Sequence, residues 1–513
     1  MIYLVGSGPG DPGLFTLKGV RCMEKADAVV YDRLAPESLL SYAKPGTQMI
    51  YVGKKPGDDQ AMKQEEINRT LVELGRAGKT VVRLKGGDPY IFGRGGEEAL
   101  ELIEASIPFE VVPGVTSGVA APAYAGIPVT HRNVSTSVAF VTGHEDPTKG
   151  RSDVDWKGIA HGADTLVLYM GVGRLKEISS ELIDAGRDPE TPVAVIRWGT
   201  LPEQRTVTGT LSNIADKVAE AKLKPPAITV VGGVAALRES GLDWYERRPL
   251  FGRRVVVTRA RAQAGELSGS LEELGAEVRE FPTIEVRPPE DFGPLDRAIE
   301  DLDSFDWLIF TSVNGVGAFL DRLRHHGLDL RAVSRRTRVA GIGPATAEAL
   351  EGKGLGVDVV PDEFRAEALI DAIDDGSLAG KRVLIPRARV AREVLPDRLR
   401  EAGAEVVVPP AYETVPMAEG KDRLALELRA GKIDCVTFTA SSTVTNFVSA
   451  FGAGEAGRLL SGTRVACIGP ITAGTARENG LPVHAEASEY TIPGLVSAVV
   501  NLLSMEAATR GTD

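Results

Sequence analysis

Two glycine-rich turns and one aspartate near the N-terminus carry the first chemistry legible in this chain. The string VGSGPGDPG at residues 5–13 follows the apolar run Ile2-Tyr3-Leu4-Val5, and its Gly8-Pro9-Gly10-Asp11-Pro12-Gly13 portion has the form GxGxxG. Asp32 ends the next apolar run, Ala28-Val29-Val30-Tyr31, at the position of a ribose-binding acid, so an NAD-dependent oxidoreductase is one reading. Pro9 and Pro12 count against it. Each removes a backbone N–H from a turn whose task would be to cradle pyrophosphate. A plain tight turn is the other reading. The second string, VRLKGGDPYIFGRGGEE at 82–98, is an apolar strand running into Gly86-Gly87-Asp88-Pro89, then more glycine before a helix. Glycines let a backbone approach a ligand closely.

The second half offers polar turns instead. Ser312 and Asn314 in FTSVNGVGAFL, and Thr439, Ser441 and Ser442 in VTFTASSTVTNF, occupy two corresponding strand-to-helix turns. Gly341-Ile342-Gly343 and Gly469-Pro470 present backbone donors at helix N-termini. Thr346 and Thr472 follow them at equivalent positions and either donate hydroxyl hydrogen bonds to a ligand or cap their helices. Arg259, Arg261, Arg387 and Arg389 are counter-ions for an anionic ligand or solvated surface charges. No nucleophile–base pair is visible. Three distant cysteines (Cys22, Cys435, Cys467) and six histidines without ligand spacing offer no metal site.

Elements able to hold these residues follow from periodicity. Short β-rich runs alternate with amphipathic stretches along the whole chain, which predicts α/β architecture throughout. The basic, proline-containing segment around 247–251 reads as a linker or docking elbow. Beyond it the sequence repeats itself. VVVTRAR at 255–261 matches VLIPRAR at 383–389, an offset of 128, as do LGAEV and AGAEV at 274–278 and 402–406. Asp306–Thr311 and Asp434–Thr439 keep that offset, and TRVAGIGPATA and TRVACIGPITA lie 126 apart. A duplicated α/β unit of two lobes results, and two similar lobes usually leave a ligand cleft. The small, polar 504–513 tail reads as frayed.

At 513 residues the chain suggests about three average domains. Its 43% apolar content permits a sizeable core, and a net charge of −12 argues against a general nucleic-acid binder or a polybasic membrane anchor. No apolar run suggests a membrane span and no leader pattern opens the chain, so a cytoplasmic protein is expected.

VGSGPGDPG, YDRL, VGKK, LKGGDPYIFGRGGEE, PGVTS and YMG stand in one order over residues 1–246. Together they resemble the tetrapyrrole methylase family, in its uroporphyrinogen-III C-methyltransferase branch. The resemblance implies a two-lobed enzyme that folds S-adenosyl-L-methionine between its lobes. Carried onto this sequence, cofactor contacts fall on Pro9, Gly86, Gly87, Asp88, Ile91, Thr116, Ser117, Met170, Gly199 and Ala227. Asp32 becomes a proton acceptor and Lys54 a proton donor. Their alternatives are a turn cap for Asp32 and a substrate-carboxylate contact for Lys54. Arg33, Lys55 and Arg94 could pair with substrate carboxylates, and His144 could face the substrate or be structural. A homodimer through this half is implied as well.

From about 252 to 503 the motifs VVVTRARAQ, FTSVNGVGAFL, VAGIGPATAEAL, PAYET, VTFTASSTVTNF and ACIGPITAGTARENGLPV resemble uroporphyrinogen-III synthase. That family implies one lobe from about 251–285 with 417–513, another from about 286–416, and a cofactor-free ring closure. Tyr412 then falls in the cleft, as a proton donor to the leaving hydroxyl or as packing. The resemblances together imply a bifunctional enzyme that cyclises hydroxymethylbilane to uroporphyrinogen III and methylates it at C2 and C7 to precorrin-2. Both halves would hold polyanionic tetrapyrroles. The alternative is an active methylase carrying a non-catalytic, two-lobed binding module.

Overall fold

A computed structural model describes residues 1–53, 62–143, 154–259, 261–361, 366–373, 377–416 and 420–510. The chain is α/β throughout and forms two compact units. One is Met1–Arg253 with Leu271–Glu277; the other is Arg254–Ser270 with Val278–Asp513.

The first unit holds two five-stranded sheets. Strands β1 (Ile2–Gly6), β2 (Ala28–Tyr31), β3 (Gln48–Tyr51), β4 (Val81–Lys85) and β5 (Phe109–Val112) are all parallel, in the order β3-β2-β4-β1-β5. Their apolar runs are nearly unbroken because helices cover both faces of a parallel sheet; Ile2, Leu4, Val29, Val30, Val81, Val82 and Leu84 are buried. Arg83 and Lys85 break the apolar pattern yet are equally buried. With all strands parallel, the glycine turns and Asp32 fall at one edge, the carboxyl ends, where open α/β sheets bind ligands.

The second sheet combines β6 (Val138–Thr142), β7 (Thr165–Tyr169), β8 (Pro192–Arg197), β9 (Arg205–Thr210) and β10 (Ala227–Val231) in the order β6-β7-β10-β8-β9. Only β6 and β7 pair in parallel. Within the 247–251 segment Leu250 is fully buried and its N–H bonds to the Leu274 carbonyl. Arg248 lies over the Trp244 and Tyr245 rings at 4.8 and 5.0 Å.

The second unit shows the duplication strand for strand. One sheet contains β11 (Arg254–Val257), β12 (Glu277–Glu280), β20 (Cys435–Phe438), β21 (Arg464–Cys467) and β22 (Ala485–Glu486), in the order β12-β11-β20-β21-β22. Another contains β14 (Trp307–Phe310), β15 (Arg338–Gly341), β16 (Arg382–Leu384) and β18 (Glu405–Val407), in the order β18-β16-β14-β15. Sequence offsets of 128 and 126 carry each strand of the second sheet onto its counterpart in the first, in matching order. Even the clamp at the strand starts repeats. Asp434 accepts from the Arg254 N–H at 2.8 Å, and Asp306 accepts from the Arg382 N–H at 3.0 Å.

Between the sheets in sequence, β13 (Ile284–Arg287) pairs antiparallel with β19 (Pro410–Pro416), and β17 (Arg387–Ala388) joins β19 in parallel. The chain thus leaves the first sheet through β13 and returns through β19. The last helix runs Ile492–Arg510.

Candidate functional site

The first glycine turn is pinned by its own backbone. Ser7 donates to the Lys85 carbonyl at 2.7 Å, and Gly8 and Gly87 exchange N–H bonds at 3.2 and 2.7 Å. Asp11 donates its N–H to the Thr200 hydroxyl at 3.1 Å, and Gly13 donates to the Asp11 carboxylate at 2.7 Å. With Pro9 and Pro12 lacking donors, most of the turn's N–H groups are spent inside the protein. A short 3-10 turn, Pro12–Leu14, follows instead of an α-helix N-terminus. This geometry does not suit a pyrophosphate, and the dinucleotide reading is set aside.

Close backbone approach is real here. A Cβ on Gly6 would lie 2.6 Å from Gly114 and from the Gly87 carbonyl; one on Gly86 would meet the Leu34 side chain at 2.6 Å. The first contact locks the β1, β4 and β5 turns together. The second seats the Asp32–Leu34 turn on the second glycine string. Asp88 is occupied: it accepts from the Tyr90 N–H at 2.8 Å and the Gly114 N–H at 3.1 Å. These two bonds hold the loop in shape.

Thr116 and Ser117 open the helix Ser117–Tyr124. The Tyr169 hydroxyl, at the end of β7, meets the Thr116 hydroxyl at 2.6 Å and accepts from the Gly118 N–H at 2.8 Å. That contact ties the carboxyl edge of the first sheet to the second. Met170 follows with φ of 56° and is half-exposed; Ile91 lies beside the half-exposed Tyr90 and Phe92. Gly199 is wedged against the same helix, since a Cβ there would lie 2.2 Å from that of Ala121. Ala227, the first residue of β10, pairs with Arg197 of β8.

Among the described residues, eight non-glycine residues have positive φ, and five of them (Phe92, Arg94, Met170, Trp198, Thr200) lie in these turns. Backbone strain of this kind concentrates at ligand sites. A cradle of closely packed glycines lined by half-exposed apolar side chains fits a cofactor that joins an adenine to a sulfonium.

Asp32 is partly buried and held at both oxygens, by the Leu34 N–H at 3.0 Å and by Arg83 at 3.2 Å. Arg83 and Lys85 also reach the fully buried Glu98, at 3.2 and 2.7 Å. Burial, and then the Arg83 charge, push the Lys85 ammonium below its usual value against the pull of Glu98. Arg94 is engaged by Glu97 at 2.7 Å. Lys54, Lys55 and His144 lie outside the described residues.

In the second unit Tyr412 is mostly buried on β19, and its hydroxyl lies 3.0 Å from that of Ser312. Ser312 is the N-cap of the helix Val313–His325 and accepts from the Gly315 N–H at 3.0 Å; Asn314 sits in that helix's first turn. The counterpart of Ser312 at offset 128 is Ala440, so the cap has not been kept in both copies. Thr439 precedes Ala440; Ser441 accepts from the Thr475 hydroxyl at 2.8 Å, and Ser442 is exposed.

Thr346 and Thr472 are buried third residues of the helices Pro344–Glu351 and Pro470–Glu478, whose caps are Gly343 and Gly469. Capping is therefore not their role. Arg387 is buried and paired with Glu393, and Arg389, more than half exposed, reaches the buried Glu413 at 3.0 Å. Arg259 lies just beyond β11; the Arg261 side chain lies outside the described residues. No group of three metal-ligating side chains occurs among the described residues, and no helix there is long and apolar enough to cross a membrane.

Sequence reasoning missed Tyr169, Thr200 and the Arg83–Glu98–Lys85 cluster. The cluster did leave a signal, two cations at i and i+2 in an otherwise apolar strand.

The Tetrapyrrole (Corrin/Porphyrin) Methylases family matches residues 1–215, and the family described as Uroporphyrinogen-III synthase HemD matches 265–497. The chain is 36% identical over 501 residues to the porphyrin biosynthesis protein HemD of Ruminiclostridium josui, covering 98% of each. It is 43% identical over 363 residues to a uroporphyrinogen-III C-methyltransferase of Bacillus subtilis, covering 71% of this chain and 74% of that one. A third relative, the S-adenosyl-L-methionine-dependent uroporphyrinogen III methyltransferase of Methanosarcina barkeri, is 53% identical over 238 residues, 46% of this chain and 93% of that one.

Proposed function

This chain belongs to the family that joins a tetrapyrrole methylase to a uroporphyrinogen-III synthase, and on that premise we propose that it performs two consecutive steps of tetrapyrrole synthesis. The second unit closes hydroxymethylbilane to uroporphyrinogen III without a cofactor. The first unit methylates that product at C2 and C7, giving precorrin-2. Both reactions belong in the cytoplasm, and the methylase half forms a homodimer.

S-Adenosyl-L-methionine, when bound, supplies an electrophilic methyl group. The chain's residues do the rest. Gly86, Gly87, Thr116, Ser117, Gly199, Ala227 and Pro9 give the cofactor a close-fitting backbone surface, while Ile91 and Met170 pack on its apolar parts. Asp88 keeps the second glycine turn in shape. Positioning supplies much of the rate of such a transfer. Methylation of a fully substituted pyrrole carbon leaves a cationic ring that must shed a proton from elsewhere on the macrocycle, and Asp32 accepts it; Lys54 is the proton donor. In the second unit Tyr412 protonates the departing hydroxyl of the open chain, with Ser312 against its phenol oxygen. Thr346 and Thr472, with Asn314, Thr439, Ser441 and Ser442, bind substrate carboxylates.

The observation that best supports the methylase reading is the Tyr169 hydroxyl held by Thr116 and Gly118, which fixes the two sheets' turns around one cradle. The test uses one preparation of the full chain. Given hydroxymethylbilane alone it should release uroporphyrinogen III, and with S-adenosyl-L-methionine added a dimethylated product should replace it. Accumulation of only the spontaneously closed isomer I would refute the synthase and leave a non-catalytic second unit. Calorimetry that finds tight NAD binding and no S-adenosyl-L-methionine binding would refute the methylase.

A further inference from the structure

We propose that Arg83 is a positioning residue for methyl transfer, one that fixes the carboxylate of Asp32 and is itself held by the buried Glu98. The proposal deepens the reading of Asp32 as proton acceptor and rests on it.

The juxtaposition begins in strand register. Arg83 of β4 stands opposite Val30 of β2, and Asp32 lies two residues past Val30, on the same face of the sheet. Lys85, two residues past Arg83, shares that face. Burying two cations side by side is costly unless an anion meets them. Glu98, from the helix Gly95–Glu104, supplies it: one of its oxygens accepts from Lys85 at 2.7 Å, from Arg83 Nε at 3.2 Å and from Gln64 at 3.2 Å. Glu98 is wholly buried, and its other oxygen has no hydrogen-bond partner among the described residues.

Arg83 is fixed at three points. Its Nε binds Glu98, one terminal nitrogen donates to the Leu84 carbonyl at 3.0 Å, and the other reaches Asp32 at 3.2 Å. A planar guanidinium held at two corners presents its third at a set place and angle. Asp32 is the outward end of this frame, with about a quarter of its side chain exposed. The frame also touches the cofactor cradle, because Leu34 beside Asp32 packs on Gly86. Charge alone would be served by Lys85; the fork that reaches Glu98 and Asp32 together is what only arginine provides.

The test is a double-mutant cycle on the full chain, with Arg83→Gln and Arg83→Lys each made in the parent and in Asp32→Asn. In the parent both should lower kcat for methyl transfer by roughly 10–100-fold, the cost of a misplaced catalytic group. The KM for uroporphyrinogen III and the Kd for S-adenosyl-L-methionine should stay within about twofold, a split that a general packing defect would not give. In Asp32→Asn either Arg83 substitution should change kcat by less than about twofold. If Arg83→Gln does not fold, Arg83→Lys, which keeps the charge and loses the fork, carries the same cycle. Equal losses in both backgrounds, beside a large defect of Asp32→Asn itself, would overturn the proposal alone. Asp32→Asn with near-parental kcat would overturn the proton-acceptor reading, and the proposal with it.

Discussion

Replacing Glu98 by glutamine should unsettle the first unit in a pH-dependent way. Glu98 is fully buried and is the anion against which Lys85, almost as deeply buried, is held at 2.7 Å. Glutamine keeps the shape and removes the charge. Arg83 retains Asp32, but Lys85 is left as a buried cation without a close counter-ion. Breaking a buried pair on one side costs about 3–5 kcal/mol. At roughly 2–4 °C per kcal/mol for a unit of this size, the melting transition should fall by about 6–20 °C. Scanning calorimetry of the full chain measures this, with the first unit's transition identified by its rise when S-adenosyl-L-methionine is added.

The pH dependence follows from Lys85. Burial and Arg83 already hold it below its usual value of 10.5. Between that lowered value and 10.5 the unfolded chain binds more protons, so stability rises with pH across that window. Without Glu98 the folded value drops further, and the window widens downward. The deficit should therefore be largest below this window and shrink as pH climbs through it. Adding Lys85→Met should recover most of it, since a buried pair replaced by apolar groups is often neutral. A loss under about 1 kcal/mol, or a deficit that does not change with pH, would refute the account of a paired buried charge.

Two further outcomes concern the sites themselves. Gly199→Ala places a Cβ 2.2 Å from that of Ala121, which must push the β8 turn away from the helix Ser117–Tyr124; calorimetry should find S-adenosyl-L-methionine binding weakened by about tenfold or more, roughly 1.4 kcal/mol, and an unchanged Kd would remove that turn from the cradle. Tyr412→Phe deletes the hydroxyl 3.0 Å from Ser312 and should cost about 1 kcal/mol of stability, while uroporphyrinogen III falls by roughly tenfold or more in favour of isomer I. Chromatographic separation of the isomers reads this directly, and an unaltered isomer ratio would rule out Tyr412 as the proton donor.

Much of the architecture could be read in the residues because the relevant signals were local or repeated. The offsets of 128 and 126 carry strand onto strand, down to the paired aspartates Asp306 and Asp434. Pro9 and Pro12 argued against a pyrophosphate turn, and the hydrogen bonding of that turn supplies the reason. The remainder depends on contacts distant in sequence. Nothing local announces that the Tyr169 hydroxyl reaches Thr116, or that Thr200 receives the Asp11 N–H. Thr346 and Thr472 could not be told from caps because a shift of three residues in a helix start changes the role, and only the structure fixes Gly343 and Gly469 as the caps. Arg83 and Lys85 were legible as an anomaly, but their anion lies thirteen or more residues onward, on a helix.

The split first sheet of the second unit also has a consequence during synthesis. Arg254 opens β11, and the aspartate that clamps it, Asp434, lies 180 residues later. At about 5–20 residues per second the ribosome takes roughly 10–35 s to cover that distance. Throughout that interval β14, β15, β16 and β18 can emerge and pair, whereas the apolar strand Val255-Val256-Val257 has left the ribosome and lacks β20, its neighbour in the sheet. The nascent chain thus carries an unpaired, aggregation-prone edge for many seconds, and demand for chaperone protection should concentrate on this strand rather than on the later copy of the repeat.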